Sequence, residues 1–464
     1  MKISIPKHIF RAYDIRGIVD TELNETTVLA IGKAIGTRLI RNSKEKSPSI
    51  FIAKDARLSG PRLLKALQTG LLETGCNVVD LGVVPTPVLS FATCYTDINS
   101  GVVLTGSHNP ANYNGLKITL QGETLSESAI QEIYQTTLNQ DFADGMGNYQ
   151  TQDLQETYIE YIAKRIKISK RLKVVVDAGN GVAGIIAPKL LRKLGCEVIE
   201  LYCELDGNFP NHHPDPSNPK NLQDLINKVK ALNADIGLAF DGDADRLGVI
   251  TNAGNMIFPD RQLMLYAKHV LKTQVGAKII YDVKCSLNLA KVISANSGIP
   301  IISKTGHSLI KKRMFDEKAA LAGEMSGHIF FNDRWFGFDD AIYTAARLLE
   351  ILDNTNQTSD ELFNELPNSC STPEINITID ETIKFSFIKT LQTHAATYFK
   401  DAKIVDIDGV RVEFPYGFAL VRASNTTANL VLRFEADTKT ALDALKKSMV
   451  DFMRKYNSEL ELDF

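Results

Sequence analysis

Ser107 lies in the stretch Thr105, Gly106, Ser107, His108, Asn109, Pro110, directly after the apolar, β-branched run Gly101, Val102, Val103, Leu104. Such a run reads as a buried parallel strand, and active groups gather where such strands end. Gly106 should let the backbone turn tightly and Pro110 should keep a helix from starting. Ser107 is then held out beside His108, either as a nucleophile or as one polar group of a plain turn. A second loop, Asp241, Gly242, Asp243, Ala244, Asp245, Arg246, follows the apolar run 236–240. Its three alternating carboxylates can converge on one hard cation, and without a partner they would repel one another.

The acidic loop is open to other readings. An EF-hand would need glycine where Arg246 stands. The Asp-x-Asp of haloacid-dehalogenase phosphatases is a nearer competitor and would make Asp241 the nucleophile, and a solvated acidic turn is the plainest choice. A third loop, Gly323 to His328, follows a strand at 319–322. There Glu324, Ser326 and His328 alternate and can offer a polyol an acceptor, a hydroxyl and an imidazole; His328 would equally suit an ordinary hydrogen-bonded role. A fourth loop, Arg422 to Ala428, crowds an arginine, three hydroxyls and an amide between two strands. It fits a phosphate dianion, or a polar hairpin. Arg16 could bind an anion or close a surface salt bridge, and Lys117, Lys284 and His307 lie at further strand ends. Gly179 to Gly184 matches GxGxxG, yet Asp177 would face an incoming pyrophosphate, so a tight strand-to-helix turn is the preferred reading over a dinucleotide site.

To position these loops the chain alternates helix and strand. Helices are expected at 25–40, 59–74 (capped by Ser59), 86–95, 153–166, 185–194, 262–272 and 287–294. Strands are expected at 49–55, 77–81, 101–104, 113–118, 172–176, 197–202, 235–240, 277–282, 299–302 and 319–322. After Pro367 an α+β pattern replaces them, with strands at 374–379, 403–407, 410–414, 419–423 and 429–435, helices at 383–398 and 438–456, and an Asp408–Gly409 hairpin turn. The boundaries fall near 152, 255 and 367. With 464 residues, 44% of them hydrophobic, the chain is long enough for several domains. A net charge of -3 gives no general attraction for nucleic acid or an acidic membrane, so phosphate must be held by local Lys and Arg. The opening Met1 to His8 lacks a signal-peptide core and no run nears the ~20 apolar residues of a membrane helix, which points to a cytoplasmic protein. Six cysteines without a CxxC pair should be free thiols, and the single tryptophan, Trp335, sits in an aromatic stretch that reads as core.

The four loops, in this order and spacing, resemble the α-D-phosphohexomutases over essentially the whole chain. Thr-Gly-Ser-His-Asn-Pro at 105–110, Gly-Glu-Met-Ser-Gly-His at 323–328 and Arg-Ala-Ser-Asn-Thr-Thr at 422–427 are most similar to the bacterial phosphomannomutase/phosphoglucomutase branch. Ala428 departs from the proline that relatives often carry. The resemblance implies an α/β fold of three similar domains with mixed sheets plus a C-terminal α+β domain around a central cleft: 1–152 for the phosphoserine, 153–255 for the metal, 256–367 for the sugar and 368–464 for the phosphate. It also implies that a phosphorylated Ser107 exchanges its phosphoryl group with a hexose phosphate through a hexose 1,6-bisphosphate, with Mg2+ held by Ser107, Asp241, Asp243 and Asp245. His108, Lys117, Arg16, Arg246 and His328 are then the catalytic candidates. Tyr13, Lys284, His307, Glu324, Ser326, His328, Arg422, Ser424, Asn425 and Thr426 are the substrate-binding candidates. No GxxxxGK[ST] loop is present, and a stored phosphoryl group needs no nucleotide cofactor.

Overall fold

Gly101–Leu104 is buried throughout, with Ser49–Lys54 hydrogen-bonded parallel on one side and Tyr113–Leu120 antiparallel on the other. In the computed structural model, which describes residues 5–425 and 427–462, it belongs to a seven-stranded mixed sheet. The order is Ile15–Ile18, Tyr113–Leu120, Gly101–Leu104, Ser49–Lys54, Asn77–Val83, Tyr149–Thr151, with Glu123–Thr124 beside Tyr113–Leu120. Alternate residues feed two cores, as the period of two in a strand demands. Ile50, Ile52, Val102 and Leu104 join the helices Glu25–Asn42, Gly60–Leu72 and Ser128–Asn139, while Phe51, Ala53 and Val103 join Thr86–Tyr95.

The same winding recurs twice. Ile236–Phe240 lies parallel to Lys173–Asp177 and antiparallel to Leu247–Thr251. Leu321–Gly323 lies parallel to Lys278–Asp282 and antiparallel to Ile329–Phe331. In each of these sheets the polar motif occupies the same place, the loop between a parallel strand and its antiparallel return. The fourth sheet, built on Asn429–Ala436 and Gly417–Ala423, is antiparallel throughout and carries the Arg422 loop at the turn between those two strands. The fold is thus α/β in three units and α+β in the last.

Local departures from expectation have physical causes. Ser59 precedes the helix Gly60–Leu72 but does not cap it, because its own backbone is already helical; its hydroxyl instead accepts from Asn114 Nδ2 at 2.9 Å. The expected helix at 185–194 is shortened to Ala187–Lys193, with Pro188 in its first turn, and is preceded by a 3-10 turn, Val182–Ile185. The return strands Leu247–Thr251 and Ile329–Phe331, the edge strand Ile15–Ile18 and the helices Gln223–Ala231, His307–Glu317 and Ala341–Asp353 were not anticipated. Among the described residues no helix is long and apolar enough to cross a membrane, and the six cysteines are unpaired.

One apolar core runs without interruption through the second and third sheets and one face of the first, whereas the antiparallel sheet keeps its own. The last unit meets the third through a small patch, Val283, Phe418 and Leu420, and through buried polar bonds. Arg411 Nη1 donates to the Val283 and Cys285 carbonyls at 2.6 and 2.7 Å, Arg433 Nη2 to Asp260 Oδ2 at 3.1 Å, and the Thr305 amide to Asp408 Oδ2 at 2.9 Å. Trp335 is core, stacked on Tyr343 with centroids 4.3 Å apart and surrounded by Phe91, Tyr158 and Tyr161 from the other two units.

Beside this aromatic knot, Tyr158 donates to Asp340 at 2.9 Å, and Asp340 caps Ala341–Asp353 by accepting from the Tyr343 amide at 2.8 Å. Burial pushes the Asp340 carboxyl up to about 7. The folded protein therefore binds this proton more tightly than the unfolded chain does. Its stabilising contribution is complete below about pH 4 and is lost as pH rises through the folded value. Asp340→Asn, neutral at every pH, should flatten the decline in melting temperature between about pH 5 and about pH 8; an unchanged slope in thermal unfolding would show that Asp340 titrates normally.

Candidate active site

After Thr105, whose amide still bonds to the Gly115 carbonyl at 3.0 Å, the chain as far as Ala111 leaves the strand ladder, and side chains beneath it set its shape. Asp55 ends the first parallel strand of its sheet. Its Oδ2 accepts from Thr105 Oγ1 at 2.8 Å, from the Gly106 amide at 3.2 Å and from Arg57 Nε at 3.1 Å. Thr105 Oγ1 in turn accepts from the Ser107 amide at 2.8 Å. Arg57, fully buried, donates to the carbonyls of Ser107 (2.8 Å), Asn109 (2.6 Å), Pro110 (2.5 Å) and Tyr113 (2.9 Å). The tight turn expected of Gly106 falls on Ser107 instead, at φ 49°. Gly106 is required for another reason: a Cβ there would lie 2.3 Å from Arg57 Cζ. Sequence reasoning passed over Asp55 and Arg57; the available signal was an Asp-x-Arg at the end of a buried strand.

The acidic loop meets the serine from the second unit. Ser107 Oγ donates to Asp241 Oδ2 at 3.0 Å, and His108 Nδ1 lies 3.3 Å from the same hydroxyl. Asp241 Oδ1 accepts from the Asp245 and Arg246 amides at 3.0 and 3.1 Å, which closes the loop around its own carboxylate, with Ala244 at φ 64°. Backbone touches backbone here, since a Cβ on Gly242 would lie 2.5 Å from the Ser107 carbonyl oxygen. Behind it, the Val182 amide of the GxGxxG turn donates to the Gly242 carbonyl at 3.2 Å. Asp177 accepts from the Gly179 amide at 2.9 Å and faces His212 Nε2 at 3.0 Å, so its carboxylate is spent on supporting the turn.

Asp241, Asp243 and Asp245 are wholly buried, and one oxygen from each lies within 4.8 Å of the others. Lys117 Nζ donates to Asp243 Oδ2 at 2.6 Å and to Asp245 Oδ2, and Thr86 Oγ1 donates to Asp243 Oδ2 at 2.6 Å. Asp243 Oδ1 and Asp245 Oδ1 have no hydrogen-bond donor among the described residues. Buried carboxylate oxygens left this way are costly, and their hard, anionic character fits a divalent cation. Burial, with the neighbouring carboxylates, raises Asp241 well above the ordinary range. Burial opposes the charges on Asp243 and Lys117, but their attraction prevails: Asp243 is held below its ordinary value, and Lys117, also facing Asp245, above its own.

The remaining candidates line one cleft of about 710 Å3 with Ser107 and His108: Tyr13, Arg16, Lys117, Arg246, Lys284, His307, Glu324, Ser326, His328, Arg422, Ser424 and Asn425. Thr426 lies outside the described residues. Burial first, then Arg246 and Arg16, keeps His108 neutral. Arg16 donates to Asn109 Oδ1 at 2.6 Å and pairs with Asp14 at 2.6 Å, so it braces the serine loop from the cleft side. Arg246 Nε donates to His328 Nε2 at 3.0 Å. That contact puts the His328 proton on Nδ1, 3.0 Å from Asp339 Oδ2 and 3.5 Å from Asp245 Oδ1. A protonated Nδ1 leaves no room for a second cation among Asp245, His328 and Asp339, although their atoms cluster closely. His307 is buried, with neither ring nitrogen hydrogen-bonded among the described residues, and Tyr13 packs edge-on at 5.4 Å. Glu324 accepts from the Gly306 amide at 2.5 Å, Lys284 donates to Glu374 at 2.6 Å, and Arg422 Nε donates to Asp408 at 3.0 Å.

Three like-wound α/β units and an α+β unit around a polar cleft define the α-D-phosphohexomutase class. Family models described as phosphoglucomutase/phosphomannomutase alpha/beta/alpha domains I, II and III match residues 7–144, 156–254 and 258–370, and the C-terminal domain of the same family matches 374–452. The chain belongs to the phosphoglucomutase/phosphomannomutase family. It is 53% identical over 461 residues to the phosphomannomutase/phosphoglucomutase of Pseudomonas aeruginosa, covering 99% of this chain and 98% of that one. It is 50% identical over 445 residues to a phosphoglucomutase of Neisseria meningitidis, covering 96% of each. The crystal structure of a family member from Burkholderia thailandensis superposes with a TM-score of 0.94 at 47% identity, over 99% of this chain and all of that one.

The orphaned oxygens make the metal test direct. Asp243→Asn should weaken Mn2+ binding, read by electron paramagnetic resonance, by about tenfold or more. An affinity within about twofold of the parent would remove Asp243 from the ligand set.

Proposed function

We propose that this enzyme interconverts hexose 1-phosphate and hexose 6-phosphate by storing a phosphoryl group on Ser107 between half-reactions. The observation that carries this reading is the seryl hydroxyl 3.0 Å from Asp241, beside two buried carboxylate oxygens that lack donors. In one half-reaction the free hydroxyl oxygen of the sugar bonds to the phosphorus on Ser107, the Oγ–P bond breaks and the hydroxyl proton passes to a base. The hexose 1,6-bisphosphate turns around, and its other phosphoryl group returns to Ser107 Oγ. A phosphatase acting through Asp241 fits less well, because Ser107 lines the cleft whereas Asp241 lies behind it, with its Oδ1 held by the Asp245 and Arg246 amides.

The four units divide the work as 1–152 for the phosphoserine, 153–255 for the metal, 256–367 for the sugar and 368–464 for the distal phosphate. Asp241, Asp243, Asp245 and phosphorylated Ser107 offer only hard oxygens, which favours Mg2+; when bound it offsets the phosphoserine charge so that an oxygen nucleophile can approach. Lys117 is held cationic by Asp243 and Asp245, so it screens charge and does not take the proton. That role falls to His328, whose unprotonated Nε2 accepts from Arg246 Nε and must give up that bond to take the substrate proton. Arg16, Arg246 and Lys284 balance phosphate charge, whereas burial holds the His307 pKa well below its ordinary value, so that ring can offer phosphate only a neutral N–H. Glu324 and Ser326 read the 3- and 4-hydroxyls, which look alike in both orientations, while Arg422, Ser424, Asn425 and Thr426 clamp the non-reacting phosphate. Mannose and glucose differ only at carbon 2, which no residue in this assignment contacts, so both phosphates should be substrates. The names of the Pseudomonas and Neisseria relatives support that pairing.

Incubation with mannose 1-phosphate, Mg2+ and trace hexose bisphosphate, followed by phosphorus NMR, should give mannose 6-phosphate with little inorganic phosphate. Peptide mapping should place the phosphate on Ser107. A fully active Ser107→Ala enzyme would end this reading. Arg422→Lys, which loses the bidentate fork, should raise KM for mannose and glucose phosphates alike by about 10- to 100-fold with little change in kcat. A loss confined to one sugar would mean that the clamp also reads carbon 2.

A further inference from the structure

We infer that Arg57 is a positioning residue for phosphoryl transfer, whose guanidinium fixes the direction of Ser107 Oγ from behind the loop in both the free and the phosphorylated state. This rests on the phosphoserine reading above. Arg57 Nε is bonded to Asp55, Nη1 to the carbonyls of Pro110 and Tyr113, and Nη2 to those of Ser107 and Asn109. All five N–H donors of an arginine are therefore used, and none remains for a substrate. Asp55, Thr105 and Arg16 hold other atoms of the loop, but the carbonyls of Ser107, Asn109, Pro110 and Tyr113 converge on this one side chain, and Ser107 keeps a left-handed backbone, φ 49°, that must be enforced by its surroundings. Phe209 of the second unit lies against the guanidinium, 5.2 Å from ring centroid to Cζ, and closes the bonds off from water.

Phosphorylation adds about -1.5 to -2 charges to Ser107, and these draw the side chain toward whichever cation or solvent it can reach. A clip on four carbonyls resists that pull without touching the phosphoryl group. When the clip loosens, the phosphoserine turns out of line with the sugar hydroxyl and becomes open to water. In that side reaction a water oxygen bonds to phosphorus, the Oγ–P bond breaks, a water proton returns to Ser107 and inorganic phosphate leaves. Lysine cannot replace the clip, because its three donors sit on one point and cannot span four carbonyls.

The test uses the full chain phosphorylated by glucose 1,6-bisphosphate and then mixed with Mg2+, with or without glucose 1-phosphate. Transfer to sugar and release of inorganic phosphate are each timed. Their ratio does not depend on how much of the protein is folded, so a merely structural loss leaves it unmoved. In Arg57→Lys the ratio should fall by about tenfold or more, with KM for glucose 1-phosphate within about threefold of the parent. Gly106→Ala, whose methyl would displace the guanidinium, should move the ratio the same way and decides the matter where Arg57→Lys is insoluble. A ratio within about twofold of the parent in the soluble variant overturns the role of Arg57 while leaving the phosphoserine reading intact. A parent enzyme that accepts no phosphate from the bisphosphate overturns both.

Discussion

Three carboxylates without solvent contact are the most demanding feature of this chain. At a separation of about 4 Å and an effective dielectric near 20, each like-charged pair would cost ~4 kcal/mol, and water is not there to share the burden. The neighbourhood of Asp241, Asp243 and Asp245 can be understood as the answer. Two backbone amides and the Ser107 hydroxyl turn to Asp241, Lys117 and Thr86 turn to Asp243, and Lys117 also reaches Asp245. The answer is incomplete by two oxygens, and that shortfall gives the site its appetite for a cation. Because the serine is one of the groups that satisfy Asp241, the metal loop and the serine loop are matched before any ligand arrives.

The repeated winding of the first three units explains why such parts can meet. A loop between a parallel strand and an antiparallel return has its two ends on neighbouring strands, and so is short and firmly anchored. Setting three of these toward one cleft brings Ser107, the three-aspartate loop and the Glu324 to His328 loop together without any one unit having to supply all of them. The last unit contributes a cationic hairpin through a largely polar seam.

Much of this was legible in the sequence because the loops are continuous. Ser107 and its neighbours, the three alternating aspartates and the Glu324 to His328 stretch each announce themselves within six residues, and the apolar runs before them read as strands. Arg57 was only faintly legible, through the Asp-x-Arg that ends its strand, since it acts on backbone carbonyls that any sequence presents. The conformation of the serine was not legible, because the glycine beside it drew attention to flexibility when the need was for space. Of the return strands, Ile329–Phe331 has only three residues, too few for a periodicity, and Leu247–Thr251 is buried at every position and so shows no alternation. The helix His307–Glu317 sets apolar pairs between blocks of charge, without a clean stripe, and so gives no helical signal. The Ser59 cap failed because a suitable residue type had an unsuitable backbone.

The aromatic knot around Trp335 has a bearing on heredity as well as on packing. It joins Phe91, Tyr158 and Tyr343, one from each of three units. Small tilts there are magnified along the length of each unit, and misplacement on the order of 1 Å between reacting groups can cost about a hundredfold in rate. Substitutions at the knot would surface as poor catalysts with every polar group present, and second changes on the facing unit would rescue them by restoring the angle between sheets.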